Sequence, residues 1–477
     1  MDISQFLMMR HELVLTLAVI ILLIVELSVS EQVKTRIIPW IAGLFGLVTL
    51  IGFLPVETGT LFGGAYQSTP LTVTIKNILN IAVLIVFLQS EGWLRKEENK
   101  DRINEYFMLV IATLIGMNFM VSAGDFLTFY LGLETATIPL AGLAAFDRIK
   151  TRSAEAGIKL ILSSALSSGV LLFGLSLIYG ATGSIYFGDI AAVITVSPMI
   201  ILGFIFFLAG MGFKISLVPF HFWTADVYEG APVNITSYLS VVSKGAAVFI
   251  LGIVLFTVFR VITDQWHILL YVLAVTTMTI GNLFALRQDN LKRFLAFSSI
   301  AQAGFILVGL MGKPDMGMAT MIYFILIYVF TNLAAFGVVA SVYNASGVET
   351  IKGYNGLYHT NPKLSLLMML ALFSLAGIPP VAGFFGKFFL FTSAAGTGYY
   401  ILILIAVLNA TISLYYYLLV VRSMFIEKND HPVPFFKSSV MMRISLIICL
   451  AGLVIVGFAS GIFERLLSIS GSLSILP

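Results

Sequence analysis

Long apolar runs separated by short polar stretches extend through the whole sequence. A helix that crosses the hydrocarbon of a bilayer needs about 20 mostly apolar residues, and each run approaches that length. We therefore predict about fourteen transmembrane helices, numbered here as spans 1 to 14. Their expected limits are 12–30, 37–55, 71–91, 104–122, 125–146, 155–179, 198–218, 232–260, 266–287, 290–311, 316–342, 363–395, 399–425 and 440–467. The pattern predicts an all-α polytopic membrane protein in the lipid bilayer.

Composition agrees with this pattern and restricts the chemistry. Of the residues, 59% are hydrophobic and 11% are charged, whereas soluble proteins carry about 25% charged residues. A net charge of +3 gives no indication of nucleic-acid binding. The single cysteine, Cys449, and five scattered histidines form neither a disulfide framework nor a metal-ligand spacing. We expect no cofactor and no metal in this chain.

The basic residues alternate between the two sides of the predicted membrane. Cytoplasmic loops of membrane proteins carry an excess of Lys and Arg. Two thirds of the 27 lysines and arginines fall after odd-numbered spans, whereas the opposite side holds only Arg10, Arg260, Lys313 and Arg465. This alternation supports the span count and predicts that both termini lie on the outer side.

Five lysines lie inside predicted spans: Lys76, Lys159, Lys214, Lys244 and Lys387. A charge near the bilayer centre costs at least about 2.5 to 3.5 kcal/mol, so such a residue needs a partner or a hydrated cavity. Lys76 lies near the outer end of span 3, and we expect it to snorkel to the interface. Lys159 lies near the inner end of span 6, where snorkelling and a hydrated vestibule are equally suitable. Lys244 is in the middle of span 8 and is the strongest functional candidate.

An acidic residue and two helix breaks accompany these lysines. Glu134 lies inside span 5 with no basic residue at i+3 or i+4, so its partner must come from another helix. Lys214 is followed by Pro219, and Lys387 follows Pro379–Pro380. Because proline removes an amide donor, both spans should contain free carbonyls at membrane depth. Broken helices with a lysine beside them are typical of ion paths.

The two breaks also predict an internal repeat. The broken spans 7 and 12 are five apart, and an odd offset turns the second copy upside down, as in many ion-coupled transporters. Spans 4–8 and 9–13 would then be inverted five-helix repeats. We divide the chain into residues 1–103 (spans 1–3), 104–260 (first half-channel), 261–430 (second repeat) and 431–477 (span 14).

Electrostatics suggests how such a chain could move protons. Desolvation weakens the hold of a lysine on its proton, and a nearby carboxylate strengthens it. Movement of Glu134 relative to Lys214 would therefore load or release a proton, which could pass to Lys244 and towards Lys387. The sequence contains no Walker motif, dinucleotide fingerprint or redox-centre motif. A partner should therefore supply the energy.

Three stretches resemble the antiporter-like subunits of respiratory complex I and of the multisubunit cation/proton antiporters. They are KISLVPFHFWTADVYEGAP at 214–232, DNLKRFLAFSSIAQAG at 289–304 and LAGIPPVAGFFGK at 375–387. The DVYEGAP ending of the first stretch is most similar to the subunit N family of NADH-quinone oxidoreductases. The resemblance covers nearly the whole chain.

The resemblance assigns roles to individual residues. It implies that Glu134 and Lys214 are the ion pair of the first half-channel, Lys244 the central lysine and Lys387 the residue of the second half-channel. It also gives supporting roles to Lys159 and His221. Two departures stand out: Gln302 occupies a position where many members have histidine, and Val233–Asn234 replace a frequent Thr-Pro.

The resemblance further implies outward proton transfer within a large hetero-oligomeric complex. NADH oxidation and quinone reduction, with FMN, iron–sulfur clusters and quinone, would occur in partner subunits. The neighbours would be the antiporter-like subunit M and the small subunits K and J, in the bacterial inner membrane. Three alternatives remain: a sodium or potassium/proton antiporter subunit, a subunit of a related membrane hydrogenase or ferredoxin-driven complex, and an inert structural subunit.

Overall fold

The computed structural model describes residues 3–28, 34–429 and 431–471. Within these ranges the chain is almost entirely helical. Its α-helices are α1 Arg10–Ser28, α2 Lys34–Gly52, α3 Pro70–Leu94, α4 Ile103–Val121, α5 Phe126–Ala144, α6 Thr151–Thr182, α7 Phe187–Val193, α8 Pro198–Ile215, α9 Phe222–Gly230, α10 Val233–Tyr238, α11 Lys244–Thr257, α12 Thr263–Ala285, α13 Leu291–Leu310, α14 Pro314–Ser346, α15 Leu357–Thr360, α16 Pro362–Ala376, α17 Ala382–Ala395, α18 Tyr400–Phe425, α19 Val440–Phe458 and α20 Ser460–Ser470.

Shorter elements complete the description. A π-helical turn, Leu239–Ser243, joins α10 to α11. Strands β1 Gly59–Leu61 and β2 Tyr66–Ser68 form an antiparallel hairpin in which Gly59 pairs with Ser68. The 3-10 helices are Ile3–Met9, Phe62–Gly64, Lys100–Arg102, Arg260–Ile262 and Lys352–Tyr354.

Among the described residues, 13 helices are long and apolar enough to cross a membrane. One of them, Val233–Thr257, consists of α10, the π turn and α11. The two shorter apolar helices α16 and α17 together occupy the predicted span 12. The predicted all-α polytopic fold is therefore confirmed. Span 14 is a partial exception, because Ala459 leaves the helical conformation and separates α19 from α20.

Three helices form the centre of the structure. The helix Val233–Thr257, α13 and α14 are buried along nearly their whole length, whereas α1, α6, α12 and α18 keep most of their residues at the surface. The longest helix, α14, packs against α3, α13, α16, α17 and α19. Polar side chains on the central helices are thus surrounded by protein rather than by lipid.

The two predicted repeats share a distinctive connection. Asp125 and Asn290 each cap the N-terminus of a helix, α5 or α13, with their side chains. Each also forms an antiparallel backbone bridge to the segment that follows a long helix: Asp125 to Tyr186 and Asn290 to Thr350. This correspondence supports a repeat that relates spans 4–8 to spans 9–13.

The breaks in the two repeats also have the same backbone form. The residue that follows α8, Ser216, has φ 70°, and the residue that follows α16, Gly377, has φ 88°; both values lie in the left-handed region. The next amide in each donates to the carbonyl five residues earlier, at 2.7 Å and 3.0 Å, which is the usual way a helix ends at a left-handed residue. Pro219 and Pro380 follow, each after a cis peptide bond.

Candidate functional site

Lys214 lies in the last turn of α8, immediately before the first break. Its side chain is buried, and its Nζ donates a 2.6 Å hydrogen bond to Thr137 Oγ1 on α5. Glu134, one turn earlier on α5, accepts a hydrogen bond from Ser168 on α6. The predicted partners Glu134 and Lys214 are therefore on neighbouring helices, but no salt bridge of 4.0 Å or less joins them.

A small gap lies beside Lys214. It has a volume of about 10 Å³ and lies between α5, α6 and α8. Three serines of α6, Ser164, Ser167 and Ser168, line it together with Thr137. Since a single water needs about 10 to 15 Å³, the gap accommodates about one water among hydroxyl groups.

Lys244 begins α11 directly after the π turn Leu239–Ser243. It is only 5% exposed, and its Nζ donates to Ser299 Oγ on α13 at 2.8 Å. The ammonium also lies 5.4 Å from the centre of the Tyr228 ring, within range of a cation–π interaction. A π turn changes the helical register and frequently occurs at functional sites. No residue pattern in the sequence predicts this turn.

Lys387 binds the carbonyls released by the second break. Because α16 ends at Ala376, its last carbonyls have no amide donors from a following turn. The buried Lys387 Nζ donates to Leu375 O at 2.8 Å and to Ala376 O at 3.1 Å. It also lies 4.3 Å from the centre of the Phe305 ring. The broken helix thus provides the acceptors for its own lysine.

Hydrogen bonds extend from Lys387 towards Lys244. Gln302 Nε2 donates to Leu375 O at 3.0 Å and to Tyr417 OH at 3.3 Å. Tyr417 OH is 2.5 Å from Ser298 Oγ, and Ser298 precedes Ser299, the partner of Lys244. Gln302 therefore lies in the middle of this series of hydrogen bonds, and its amide cannot titrate.

Several buried polar atoms along the same region have no hydrogen-bond partner among the described residues. They are Ser216 Oγ, His221 Nδ1, Thr224 Oγ1, Tyr228 OH and Gln302 Oε1. Buried polar groups are normally satisfied, by internal water where no protein group is available. The region between the two breaks is therefore suited to ordered water.

Lys159 belongs to a different environment. Its side chain is 41% exposed and forms salt bridges with Asp226 (2.6 Å) and Glu155 (2.7 Å). Asp226 also binds Arg293 at 2.7 Å. Partial burial opposes the Asp226 carboxylate, but hydrogen bonds from Lys159 and Arg293 hold the pKa of Asp226 below its usual value. Lys159 is therefore part of a partly exposed ion cluster near the first break.

A charged cavity of about 510 Å³ lies next to the start of α10. Its lining includes Asp147, Lys150, Lys292, Tyr343 and Glu349. Partial burial disfavours the Lys150 ammonium, yet hydrogen bonds to Tyr343 OH and Asp147 raise the pKa of Lys150 above its ordinary value. These residues come from the predicted cytoplasmic ends of several helices, so the cavity is a candidate vestibule.

Lys76 is the clearest correction to the sequence analysis. Its side chain is only 2% exposed, and its Nζ lies 2.6 Å from Glu12 Oε1 of α1. The snorkelling expectation is wrong because a neighbouring helix brings a carboxylate to the lysine inside the protein. Glu12 was not singled out from the sequence, since its pairing depends on the packing of α1 against the rest of the chain.

The hydroxyl partners of the functional candidates were also missed. Lys214 donates to Thr137, Glu134 accepts from Ser168, and Lys244 donates to Ser299. Thr137 could have been found, because it lies three residues from Glu134 and so on the same helix face. Among the described residues, no cluster of three or more His, Cys, Asp and Glu side chains could hold a metal ion.

Comparison with known proteins identifies the family. Residues 123–413 match the family described as NADH:quinone oxidoreductase/Mrp antiporter, TM. The NADH-quinone oxidoreductase subunit N of Phocaeicola vulgatus is 49% identical over 467 residues, 98% of this chain and 99% of that relative. The chain belongs to the subunit N family of NADH-quinone oxidoreductases. The resemblance inferred from the three sequence motifs is confirmed.

A further relative and two solved structures support the same family and fold for this subunit N family member. The subunit N of Desulforamulus reducens is 41% identical over 424 residues, 88% of each chain. A chain of respiratory complex I from Thermus thermophilus has a TM-score of 0.80 at 27% identity, covering 96% of this chain and 99% of that one. A chain of the Mrp complex from Dietzia has the same fold, with a TM-score of 0.85 at 18% identity over 99% and 97% of the two chains. Family and fold together support a proton-translocating membrane subunit.

Proposed function

We propose that this chain carries protons outward within an NADH:quinone oxidoreductase, driven by electron transfer from NADH to quinone in other subunits. Glu134, Lys214, Lys244 and Lys387 would be the proton-transfer groups, with Lys159 and His221 in supporting roles. The proposed helix breaks are those at Pro219, Pro379 and Pro380. The fold and the family membership support this assignment.

One observation carries the proposal. Lys214, Lys244 and Lys387 are buried, and each ammonium has only hydroxyl or carbonyl oxygens as hydrogen-bond acceptors among the described residues. A purely structural buried lysine is usually paired with a carboxylate, because an unpaired charge in a membrane interior is costly. Hydroxyl and carbonyl acceptors hold an ammonium less strongly than a carboxylate does. They therefore suit three lysines that gain and lose protons.

A path follows from the contacts. Protons would enter from the charged cavity at Lys150 and Lys292, next to the start of α10. The unsatisfied polar atoms near His221 would hold the water that joins Lys214 to Lys244. From Lys244, the series of hydrogen-bonded side chains Ser298, Tyr417 and Gln302 leads to Lys387. Gln302 would relay through its fixed hydrogen bonds and adjacent water, since its amide does not titrate.

Glu134 would act as the switch of the first half. In this structure it accepts from Ser168 while Lys214 donates to Thr137. Movement of α5 or α6 that brings Glu134 to Lys214 would strengthen the hold of the lysine on its proton, and separation would weaken it. Each proton moved against the membrane potential needs about 2.3 kcal/mol per 100 mV, which neighbouring subunits would supply.

The proposed setting follows the sequence analysis. The chain would lie in the bacterial inner membrane with both termini on the periplasmic side. Its neighbours would be subunit M and the small subunits K and J. FMN, iron–sulfur clusters and quinone would be bound by partner subunits. The proposed units are residues 1–103, the two five-span repeats 104–260 and 261–430, and residues 431–477.

The experiment compares two lysine variants in the intact complex. Lys244→Met removes the central buried ammonium at nearly constant volume, and Lys352→Met removes an exposed one as a control. The complex is purified through a tag on this chain and reconstituted into vesicles. NADH-driven quinone reduction and proton pumping are then measured on the same preparation. We expect pumping to be lost in Lys244→Met and retained in Lys352→Met.

Two results would contradict the proposal. Unimpaired pumping by a fully assembled Lys244→Met complex would favour an inert structural subunit. Copurification with antiporter subunits only, without flavin and iron–sulfur subunits, would favour cation/proton exchange. Copurification with a hydrogenase or a ferredoxin-dependent module would keep the proton path and change the electron donor.

A further inference from the structure

A second buried ionisable cluster lies outside the proposed path, between α1, α3 and the β1–β2 hairpin. Lys76 Nζ is 2.6 Å from Glu12 Oε1 and donates to Tyr66 OH at 2.8 Å. Tyr66 OH in turn donates to Glu12 Oε2 at 3.0 Å. The Lys76 and Glu12 side chains are only 2% and 3% exposed. Both carboxylate oxygens are thus occupied by donors inside the protein.

The other ionisable groups nearby are engaged elsewhere. Arg10 of α1 donates to the carbonyls of Gly52 and Pro55. His11 of α1 shares a 3.0 Å hydrogen bond with Asn77 of α3. α4 packs against α1 and α3, and the uncharged Ser122 that follows α4 lies within hydrogen-bonding reach of Tyr66. Lys76 is therefore the cation in direct contact with Glu12 among the described residues.

Unpartnered polar atoms adjoin the cluster. Asn80 lies one helical turn along α3 from Lys76 and hence on the same face, and neither its amide nitrogen nor its oxygen has a partner among the described residues. The same is true of both amide atoms of Asn118 on α4. Both asparagines are fully buried. An unsatisfied buried polar group costs about 1 to 3 kcal/mol, so internal water is the expected partner of these amides.

The cluster is also close to the proposed path. Leu79, the neighbour of Asn80 on α3, has Cδ2 only 3.7 Å from where a Cβ of Gly245 would lie. Gly245 follows Lys244. α3 therefore packs directly against the helix that carries Lys244, and Asn80 follows the contacting Leu79 in the sequence.

We propose that Glu12, Lys76 and Tyr66 form a further proton-binding site, connected to Lys244 through water held at Asn80. The inference rests on the proposed proton-translocating function and extends it to the first three spans. An excess proton arriving by water forms an O–H bond with Glu12, while Lys76 keeps its three N–H bonds. The pair thereby changes from no net charge to one positive charge. Release breaks the same O–H bond and returns the proton to water.

The test separates a proton site from a static ion pair by infrared difference spectroscopy of the purified complex. Spectra are recorded as the complex passes between its oxidised and NADH-reduced states, in H₂O and D₂O. We expect a deuterium-sensitive carboxyl band that disappears in Glu12→Gln. Glu12→Asp should shift the band and keep it. Glu26→Gln is the matched control, because Glu26 also pairs with a lysine, Lys34, at 2.6 Å.

Pumping measurements give the second readout. A structural pair predicts that Glu12→Gln alone is harmful and that Glu12→Gln/Lys76→Met recovers, because no buried charge is left unpaired. A proton site predicts that the double variant assembles, retains electron transfer and still pumps less than the unmodified complex. The double variant also keeps the test valid if the single variant fails to assemble.

Each outcome is decisive for one of the two proposals. An unchanged carboxyl band in Glu12→Gln, or full pumping by the double variant, would overturn the further site while leaving the main path intact. Full pumping by Lys244→Met would overturn the main path whatever Glu12 does. Loss of the band in Glu12→Gln together with reduced pumping by the double variant would support the site.

Discussion

The close contact between α4 and α5 gives a quantitative test of how the site is positioned. A Cβ added at Gly132 would lie 2.8 Å from the carbonyl oxygen of Gly116 and 2.8 Å from Cα of Met120. These are backbone atoms, which cannot rotate away, and they must move to at least 3.4 Å for ordinary contact. Gly132→Ala should therefore push the two helices apart. Overpacking of this kind costs about 1 to 3 kcal/mol.

Separation of α4 and α5 should also disturb the proposed proton-transfer site, because Glu134 is two residues from Gly132. A misplacement of about 1 Å can lower the rate of a positioned reaction by about 100-fold. The assay compares the midpoint of thermal unfolding and the pumping rate of the intact complex for Gly132→Ala and for Gly142→Ala. Gly142 is on the same helix, and a Cβ there has nothing within 4 Å.

The two substitutions should change the stability of the protein in opposite directions. Gly142→Ala should leave stability unchanged or raise it by about 0.5 to 1 kcal/mol, because alanine restricts the unfolded chain and favours helix. Gly132→Ala should lower the unfolding midpoint and slow pumping. Equal midpoints and equal pumping rates in the two variants would refute the argument that the tight crossing of α4 and α5 positions Glu134.

Two further predictions concern hydrogen-bond partners of the site. Thr137→Val removes the acceptor of Lys214 at nearly constant volume, with a loss of about 1.5 to 3 kcal/mol for a hydrogen bond to a charged group. We expect Thr137→Val to pump more slowly than Thr135→Val, which changes an exposed position on the same helix. Equal pumping rates in these two variants would argue against a role for the Thr137 hydroxyl. Gln302→His should preserve pumping because imidazole keeps a donor and an acceptor, whereas Gln302→Leu should impair it. Equal pumping rates in these two variants would exclude Gln302 from the proposed path.

Much of the fold follows from local sequence properties. Span length and hydrophobicity depend on single segments, so the limits of α4, α8 and α18 lie within a few residues of their predictions. The breaks after Lys214 and before Lys387 were predictable because proline removes amide donors in any surroundings. The family resemblance lies in contiguous motifs, so it was also visible in the sequence.

The partners of the charged groups were less accessible. The sequence placed Lys76 near a helix end, but it could not reveal that α1 brings Glu12 against it. It could not distinguish a surface position for Lys159 from a vestibule position, because both agree with a location near the end of span 6. The π turn before Lys244 has no residue signature in the sequence.

The sequence by itself determined the membrane class, the approximate spans, the two broken helices and the deep positions of Lys214, Lys244 and Lys387. Those features depend on the apolar length of each segment and on the chemistry of proline and lysine. Only the tertiary structure decided which acceptor each ammonium contacts: Thr137, Ser299 and the carbonyls at the end of α16. These contacts join residues far apart in the chain, and they arise from helix packing, which no single segment specifies.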